Sequence, residues 1–152
     1  MDFQERQAAS HEYIKLGKLR YALFVPRGLA SVSKATAWKP LLAKLPLATL
    51  ETNGQFFERL KTAAGDAKID LKIRLACSSF PQAARALETG RFAAILPKLA
   101  EVELSEDEFA QIPVPFLKDE VRELHLIWNR RQIQMKPEFD RFRRILARLL
   151  TF

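Results

Sequence analysis

A complete strand–helix–strand unit lies within residues 71–97, LKIRLACSSFPQAARALETGRFAAILP. Apolar and polar or small residues alternate over Leu71–Cys77, which is the pattern of a half-buried strand. Ser79 follows as a potential N-cap, and Gly90 ends a short helix as a left-handed C-terminal residue would. Phe92–Leu96 is a second buried strand. The segment therefore predicts one building block of a parallel α/β sheet.

The same alternation extends to both sides of this unit. Residues 3–18 are polar and show no period, and two prolines exclude Ile112–Pro115 from the centre of a sheet. We therefore predict an α/β fold with a mostly parallel sheet and flanking helices. Further strands are predicted at Leu19–Pro26, Leu47–Leu50 and Glu123–Asn129, and helices at Trp38–Leu45, Gln55–Ala64 and Pro137–Leu150.

Two predicted loops lead from a strand end directly into the first turn of a helix. Their residues are Thr52-Asn53-Gly54-Gln55 and Ser78-Ser79-Phe80. Ligands of open α/β sheets bind outside the carboxyl ends of the strands, where both loops would lie. First-turn N–H groups lack partners within their helix and attract carboxylates and other anions. The sequence therefore predicts an anion-accepting rim at this edge of the sheet.

The composition is that of one globular domain, or of a piece of a two-lobed one. The 152 residues are 48% hydrophobic and 28% charged, which is ordinary for a soluble domain. No apolar run approaches the ~20 residues that span a bilayer, and Met1–Gln7 is too polar for a secretory signal. We therefore expect a cytoplasmic protein without a membrane partner. The single cysteine, Cys77, is expected to pack as a small hydrophobe.

The net charge of +7 raises the question of a nucleic-acid partner. The densest basic group lies near the C-terminus and interleaves with apolar residues, so we interpret it as the solvent-exposed face of an amphipathic helix. His11 and His125 have no second His or Cys at ligand spacing, which argues against a metal site. No nucleophile elbow, Walker loop or dinucleotide fingerprint is present, so the sequence predicts neither an enzyme nor a cofactor. The basic group is Arg141, Arg143, Arg144 and Arg148.

Five segments together carry a resemblance to a known family. They are Asp2-Phe3, YALFVP at 21–26, TNGQFFERL at 52–60, GRFAAILP at 90–97, and the strand Glu123–Trp128 followed by Pro137–Leu150. These segments resemble the effector-binding domain of LysR-type transcription regulators. The resemblance runs over nearly the whole chain and depends on the order and spacing of its segments. It implies a fold like that of a type 2 periplasmic binding protein, in which two α/β lobes enclose a ligand cleft.

Measured against the family pattern, the chain is expected to lack the winged helix-turn-helix and most of the first lobe. Residues 1–13 would be the remnant of the crossover from the first lobe, 14–112 the second lobe, and 113–152 the strand and helix that return to the first lobe. The implied function is effector sensing. Its implied partners are a small molecule such as a carboxylate and a second copy of the chain, with DNA bound only through the absent helix-turn-helix domain.

The resemblance also implies which residues contact the effector. In the family, hydroxyls and backbone amides between the lobes hold a ligand carboxylate or a similar polar group. By position, the contributors here would be Thr52, Asn53 and Gly54, together with Ser78 and Ser79. Capping alone is the alternative, because Asn53 and Ser79 would be good N-caps without any ligand.

Two other classes of function remain open. A truncated protein could bind no ligand and form homodimers instead. The missing first lobe would leave the apolar side chains of four residues uncovered, and a second copy could cover them. These residues are Trp128, Phe139, Phe142 and Leu149. A basic surface could instead bind nucleic acid directly, in which case its affinity would fall steeply with salt.

Overall fold

The computed structural model describes residues 11–32, 37–50 and 54–150. By their contacts the residues divide into two compact units. Unit 1 comprises Met1–Leu19 with Arg122–Phe152, and unit 2 comprises Arg20–Val121. The predicted second lobe, 14–112, overlaps unit 2, and its assignment as a lobe stays a prediction.

The described residues contain seven strands, five α-helices and two 3₁₀ turns. In chain order they are β1 (His11–Leu19), β2 (Tyr21–Pro26), α1 (Trp38–Leu42), β3 (Leu47–Leu50), α2 (Gln55–Asp66), β4 (Ile73–Cys77), α3 (Phe80–Glu88), β5 (Ala93–Pro97), the first 3₁₀ turn (Lys98–Val102), β6 (Phe109–Pro113), the second 3₁₀ turn (Pro115–Leu117), β7 (Arg122–Asn129), α4 (Arg130–Met135) and α5 (Pro137–Leu150). None of these helices is long and apolar enough to cross a bilayer.

Unit 2 is built on a five-stranded mixed sheet with the strand order β4-β3-β5-β2-β6. β3 is parallel to both β4 and β5, whereas β2 is antiparallel to both β5 and β6. Four strands therefore run in one direction and β2 runs against them. The predicted α/β class is confirmed, but the prediction of a mostly parallel sheet is wrong for the pairings, half of which are antiparallel. The error arose because the five-residue helix α1 was interpreted as a crossover between parallel strands.

Both faces of this sheet are covered by apolar side chains. Every residue of β2 is buried or nearly so, and its side chains alternate between the two faces. Leu23 packs in a core cluster with Leu60 of α2, and Phe24 packs in a second cluster with Leu87 of α3. Burial of each such side chain contributes about 1.5–3 kcal/mol. α2 and α3 are thus held on the sheet by their apolar faces, which fixes where their first turns lie.

Two strands were missed by the sequence interpretation. β1 occupies the second half of the stretch 3–18, which was predicted to be irregular. Only Leu16 of its nine residues is buried, so no apolar period marks it. β6 ends at Pro113 and lies at the edge of the sheet. The expectation that prolines keep this stretch out of a central strand is therefore confirmed, because an edge strand tolerates a missing ladder donor.

Unit 1 is a two-stranded antiparallel sheet followed by two helices. β1 pairs with β7 from His11 opposite Asn129 to Leu19 opposite Arg122, with an irregularity between Lys15 and Gly17. α4 and α5 follow β7 directly. Across the described residues of this unit, Leu16 is the one apolar side chain that is fully buried.

Candidate ligand-binding site

The predicted rim is formed at the ends of β3 and β4. The two strands are parallel neighbours, and their last residues, Leu50 and Cys77, are partners in the register. The chain therefore leaves both strands at the same end of the sheet before α2 and α3 begin. Of the predicted contacts, Gly54, Ser78 and Ser79 are described, whereas Thr52 and Asn53 lie outside the described residues.

The first turn of α3 is closed by reciprocal capping. Ser79 is the N-cap, and its Oγ accepts a hydrogen bond from the Gln82 N–H at 3.4 Å. The Gln82 Oε1 accepts from the Ser78 N–H at 2.7 Å and from the Ser78 hydroxyl at 2.9 Å. The predicted capping role of Ser79 is confirmed, and the arrangement resembles a capping box with glutamine at the third helical position.

This cap still leaves hydrogen-bonding capacity for a ligand. The Ser79 Oγ acts as an acceptor towards Gln82, so its own O–H can donate to another group. The Ser78 hydroxyl is used as a donor, so its oxygen can accept. Both serines are exposed to solvent. An anion at this helix end would therefore be met by one hydroxyl donor in addition to the field of the helix.

The first turn of α2 is capped differently from the prediction. Its N-cap is Gly54, with φ −93° and ψ 150° and no side-chain capping bond, so the prediction that Asn53 is the N-cap is wrong. The helix begins at Gln55, as predicted. The backbone carbonyl of Gly54 accepts from the Glu58 N–H at 3.2 Å. Because glycine supplies no capping oxygen, the first N–H groups of α2 depend on other groups or on solvent.

A buried hydroxyl lies close to this edge and was not singled out from the sequence. Thr49, one residue before the end of β3, is only 4% exposed. Its Oγ1 has no hydrogen-bond partner among the described residues. A buried polar group without a partner costs about 1–3 kcal/mol. The only sequence signal was a lone threonine within the apolar strand Leu47–Leu50.

Cys77 ends β4 immediately before the two serines. Its side chain is buried, and desolvation raises the pKa of the thiol above its ordinary value. A protonated buried thiol is a poor nucleophile, so the expectation that Cys77 packs as a small hydrophobe is confirmed. In the part of the chain that the structure describes, no three His, Cys, Asp or Glu side chains are grouped so that they could hold a metal ion.

Comparison with known proteins agrees with this architecture. The family model described as the LysR substrate binding domain matches residues 3–151. No curated protein sequence matches the chain. Among solved structures, the bromide-bound regulatory domain of HypT from Salmonella typhimurium is 17% identical with a TM-score of 0.66, and the match covers 99% of this chain and 70% of that one.

Two further solved structures have the same fold. A putative transcriptional regulator from Vibrio parahaemolyticus is 16% identical with a TM-score of 0.68, and the match covers 91% of this chain and 63% of that one. CbnR, a LysR family transcriptional regulator, is 16% identical with a TM-score of 0.61, over 95% of this chain and 49% of that one. The chain thus spans between about half and 70% of the length of these three structures.

Proposed function

The chain belongs to the LysR substrate binding domain family, and we propose that it senses a small-molecule effector for a LysR-type transcription regulator. The observation that carries this proposal is the parallel register of β3 and β4, which brings the starts of α2 and α3 to one edge of the sheet. The effector would contact Gly54, Ser78 and Ser79, together with Thr52 and Asn53, and would be bound without being converted.

A carboxylate is the effector chemistry that this rim supports best. The first turns of two helices supply N–H groups, and the Ser79 hydroxyl has a proton to donate. A negative group is stabilised there without a buried cation, because the helix dipoles already favour it. A neutral analogue of the same shape would lose most of this interaction.

Sensing requires that the effector bind one arrangement of the protein better than another. A ligand shifts an equilibrium only by its difference in affinity for the two states. An effector that bound both arrangements equally would raise the thermal stability of the protein and transmit no signal. Tight binding alone is therefore insufficient evidence for regulation.

The direct test is a thermal-shift screen of small carboxylic acids, each paired with its amide, followed by calorimetry of the hits. We expect acids to raise the melting temperature, and their amides to have little effect. Ser79→Ala should weaken binding of the best acid by about tenfold, since it removes a hydrogen bond to a charged group. Absence of any response to acids, from this chain and from an intact regulator that contains it, would refute the proposal.

Ser105→Ala provides the matched control for this experiment. The Ser105 Oγ accepts a hydrogen bond from the Asp107 N–H at 3.2 Å, so the substitution also removes a local serine cap in unit 2. It should lower stability in a comparable way without changing ligand affinity. Equal loss of affinity in the Ser79→Ala and Ser105→Ala proteins would mean that Ser79 acts through stability alone.

The finer aspects of this role are part of the same proposal. We propose that the chain self-associates, because unit 1 exposes large apolar side chains that include Phe139, Phe142 and Leu149. DNA contact would belong to a helix-turn-helix part outside the substrate binding domain. A regulator that acts on DNA would work in the cytoplasm.

A further inference from the structure

Unit 1 contains a cleft of its own, between β7 and the two helices that follow it. Its volume is about 430 Å³. Small-molecule sites usually have volumes of about 300–1,000 Å³. The described residues that line the cleft all belong to unit 1, so it shares no residue with the rim. We call it the unit 1 cleft, and the residues that matter most in it are Leu126, Trp128, Asn129, Phe139, Phe142 and Arg143.

The walls of the unit 1 cleft follow from the periods of the two elements that form them. Phe139, Phe142 and Leu146 recur at the spacing of three and four residues that marks one face of α5. Leu126 and Trp128 are two residues apart in β7 and therefore lie on one face of the strand. Both the helix and the strand thus contribute aromatic rings, which suits a planar aromatic ligand because rings stack favourably on one another.

The indole of Trp128 is held in place by groups of unit 1 itself. Its Nε1–H donates to the Glu12 Oε2 at 3.1 Å, and the Arg130 Nε lies 2.8 Å from the Glu12 Oε1. The guanidinium of Arg143 lies over the indole, 4.4 Å from the ring centroid. The polar N–H of Trp128 is therefore satisfied, and its ring is fixed without a ligand. A preorganised wall of this kind lowers the entropic cost of binding.

The polar part of the lining favours a hydrogen-bond acceptor on the ligand. Among the described residues that line the cleft none is Asp or Glu, whereas His11, Gln132 and Arg143 all line it. The Asn129 Oδ1 accepts from the Arg131 N–H at 2.9 Å and from the Gln132 N–H at 3.4 Å. The remaining polar group of Asn129 is its Nδ2, which only donates.

Arg143 provides an excess of positive charge beside these donors. Asp140 binds both Arg143 and Arg144, so two guanidinium groups share one carboxylate. The bonds from Arg143 to Asp140 use its Nε, at 3.1 Å, and its Nη2, so its Nη1 can donate to another acceptor. Unit 1 as a whole has 11 Lys and Arg against 6 Asp and Glu. A negative group is therefore the ligand charge that the unit 1 cleft complements.

We propose that the unit 1 cleft binds a planar aromatic anion and is a second ligand site, distinct from the rim. The ring system would pack against Trp128 and Phe142, and the negative group would accept hydrogen bonds from Arg143 and Asn129. Binding would cover Phe139 and Phe142, which are 42% and 58% exposed, and would thereby stabilise unit 1. The proposal does not depend on effector sensing at the rim.

The first test uses naphthoate as the probe and the NMR signals of the two tryptophan indoles as the readout. Trp128 lines the cleft, whereas Trp38 lies in α1, where it stacks on Phe116 with 5.4 Å between ring centroids. We expect naphthoate to shift the indole N–H signal of Trp128 and to leave that of Trp38 unchanged. Equal shifts of both signals, or no shift of the Trp128 signal, would overturn the proposal.

Two relatives of the probe separate the contribution of charge from that of planar rings. Naphthamide keeps the rings without the charge, and decalin carboxylate keeps the charge without aromatic rings. We expect each to bind weaker than naphthoate by about tenfold, because one lacks the charge-assisted hydrogen bonds and the other lacks ring stacking. Equally tight binding of either relative would contradict the chemistry proposed for the ligand.

Arg143→Gln should weaken naphthoate binding by about tenfold, since it removes a hydrogen bond to a charged group. Arg144→Gln is the matched control, because Arg144 also binds Asp140 but does not line the cleft. It should leave the affinity nearly unchanged. Equal losses in the two variants would mean that the net charge of α5 attracts the anion without any contact from Arg143, and the proposed site would be wrong.

Phe142→Ala should weaken naphthoate binding by about fivefold, because part of one aromatic wall is removed. Leu149→Ala is the matched control, since Leu149 is an exposed apolar residue of the same helix, at 72%, that does not line the cleft. Both side chains are exposed, so circular dichroism should show that both variants fold. Equal effects would mean that naphthoate adheres to exposed apolar surface in general.

Two further measurements separate this site from the other proposals. Ser79→Ala should leave naphthoate binding unchanged, so a failure at the rim and a failure at the unit 1 cleft can be told apart. Calorimetry at several protein concentrations, with sedimentation equilibrium beside it, tests whether a second copy fills the cleft instead. We expect one affinity at every concentration. An affinity that falls as the protein self-associates would identify the second copy as the occupant and overturn the proposal.

Discussion

Gly90 ends α3 with a left-handed backbone, since its φ is +71°. Its N–H donates to the Leu87 carbonyl at 2.9 Å and thereby closes the last turn. A Cβ at this position would meet no atom within 4 Å, so a substitution there is opposed by backbone conformation and not by crowding. The sequence predicted this role, because glycine adopts the left-handed region without a steric penalty.

Gly90→Ala is therefore expected to lower the free energy of unfolding by about 1–2 kcal/mol. Urea denaturation would measure the change. Gly28→Ala is the matched control, because a Cβ there also meets nothing within 4 Å and Gly28 has no positive φ. Equal effects at the two positions would contradict the conformational explanation.

At the rim, the N-cap was predicted correctly where a side chain caps the helix that directly follows it. Ser79 was predicted as an N-cap from its type and from the proline that follows shortly after it, and both signals are local. At α2, two adjacent residues, Asn53 and Gly54, can both serve as caps, and composition does not distinguish between them. The burial of the Thr49 hydroxyl could not be predicted either, because it depends on strands and helices that are distant in the sequence.

At the scale of elements, the success of the prediction depended on how much of each strand is buried. β2 and β5 are buried almost throughout and were predicted within two residues of their observed bounds. β1 buries one residue of nine and was missed, since a strand without an apolar period leaves no pattern. The direction of β2 could not be predicted either, because the alternation of strands and helices does not indicate which strands become neighbours.

α5 carries an ion cluster whose pH dependence can be predicted. Asp140 lies in its first turn and binds Arg143 and Arg144. The hydrogen bond from Arg143, followed by that from Arg144, lowers the pKa of this carboxyl below its ordinary value of 3.8. A carboxyl whose pKa is lowered in the folded state stabilises that state above the unfolded pKa and loses this contribution as pH falls through the folded pKa.

We expect the Asp140 carboxyl to titrate with a midpoint below 3.8, which NMR would show directly. In Arg143→Gln, the midpoint should move up towards the ordinary value, because the hydrogen bond that lowers the pKa most is gone. Asp140→Asn should remove this component of the acid sensitivity of α5. A midpoint in the unaltered protein that equals that of an exposed aspartate would contradict the described cluster.

For the whole molecule, burial and charge are unevenly divided between the two units. Unit 2 has nearly all of the buried apolar residues that the structure describes, whereas unit 1 has one, Leu16. A two-stranded sheet with so small a core is marginal on its own. Large apolar residues that could extend this core, such as Phe142 and Leu149, are exposed on unit 1. The proposed self-association is therefore expected to contribute to its stability.

Hydrogen exchange of the intact chain should reveal this division. We expect amides in β1 and β7 to exchange at least tenfold faster than those in β2 and β5, because local opening of unit 1 exposes little apolar surface. Exchange followed by mass spectrometry at low protein concentration would measure the difference. Uniform protection across both units at low concentration would mean that they unfold as one, and that the small core of unit 1 does not determine its stability.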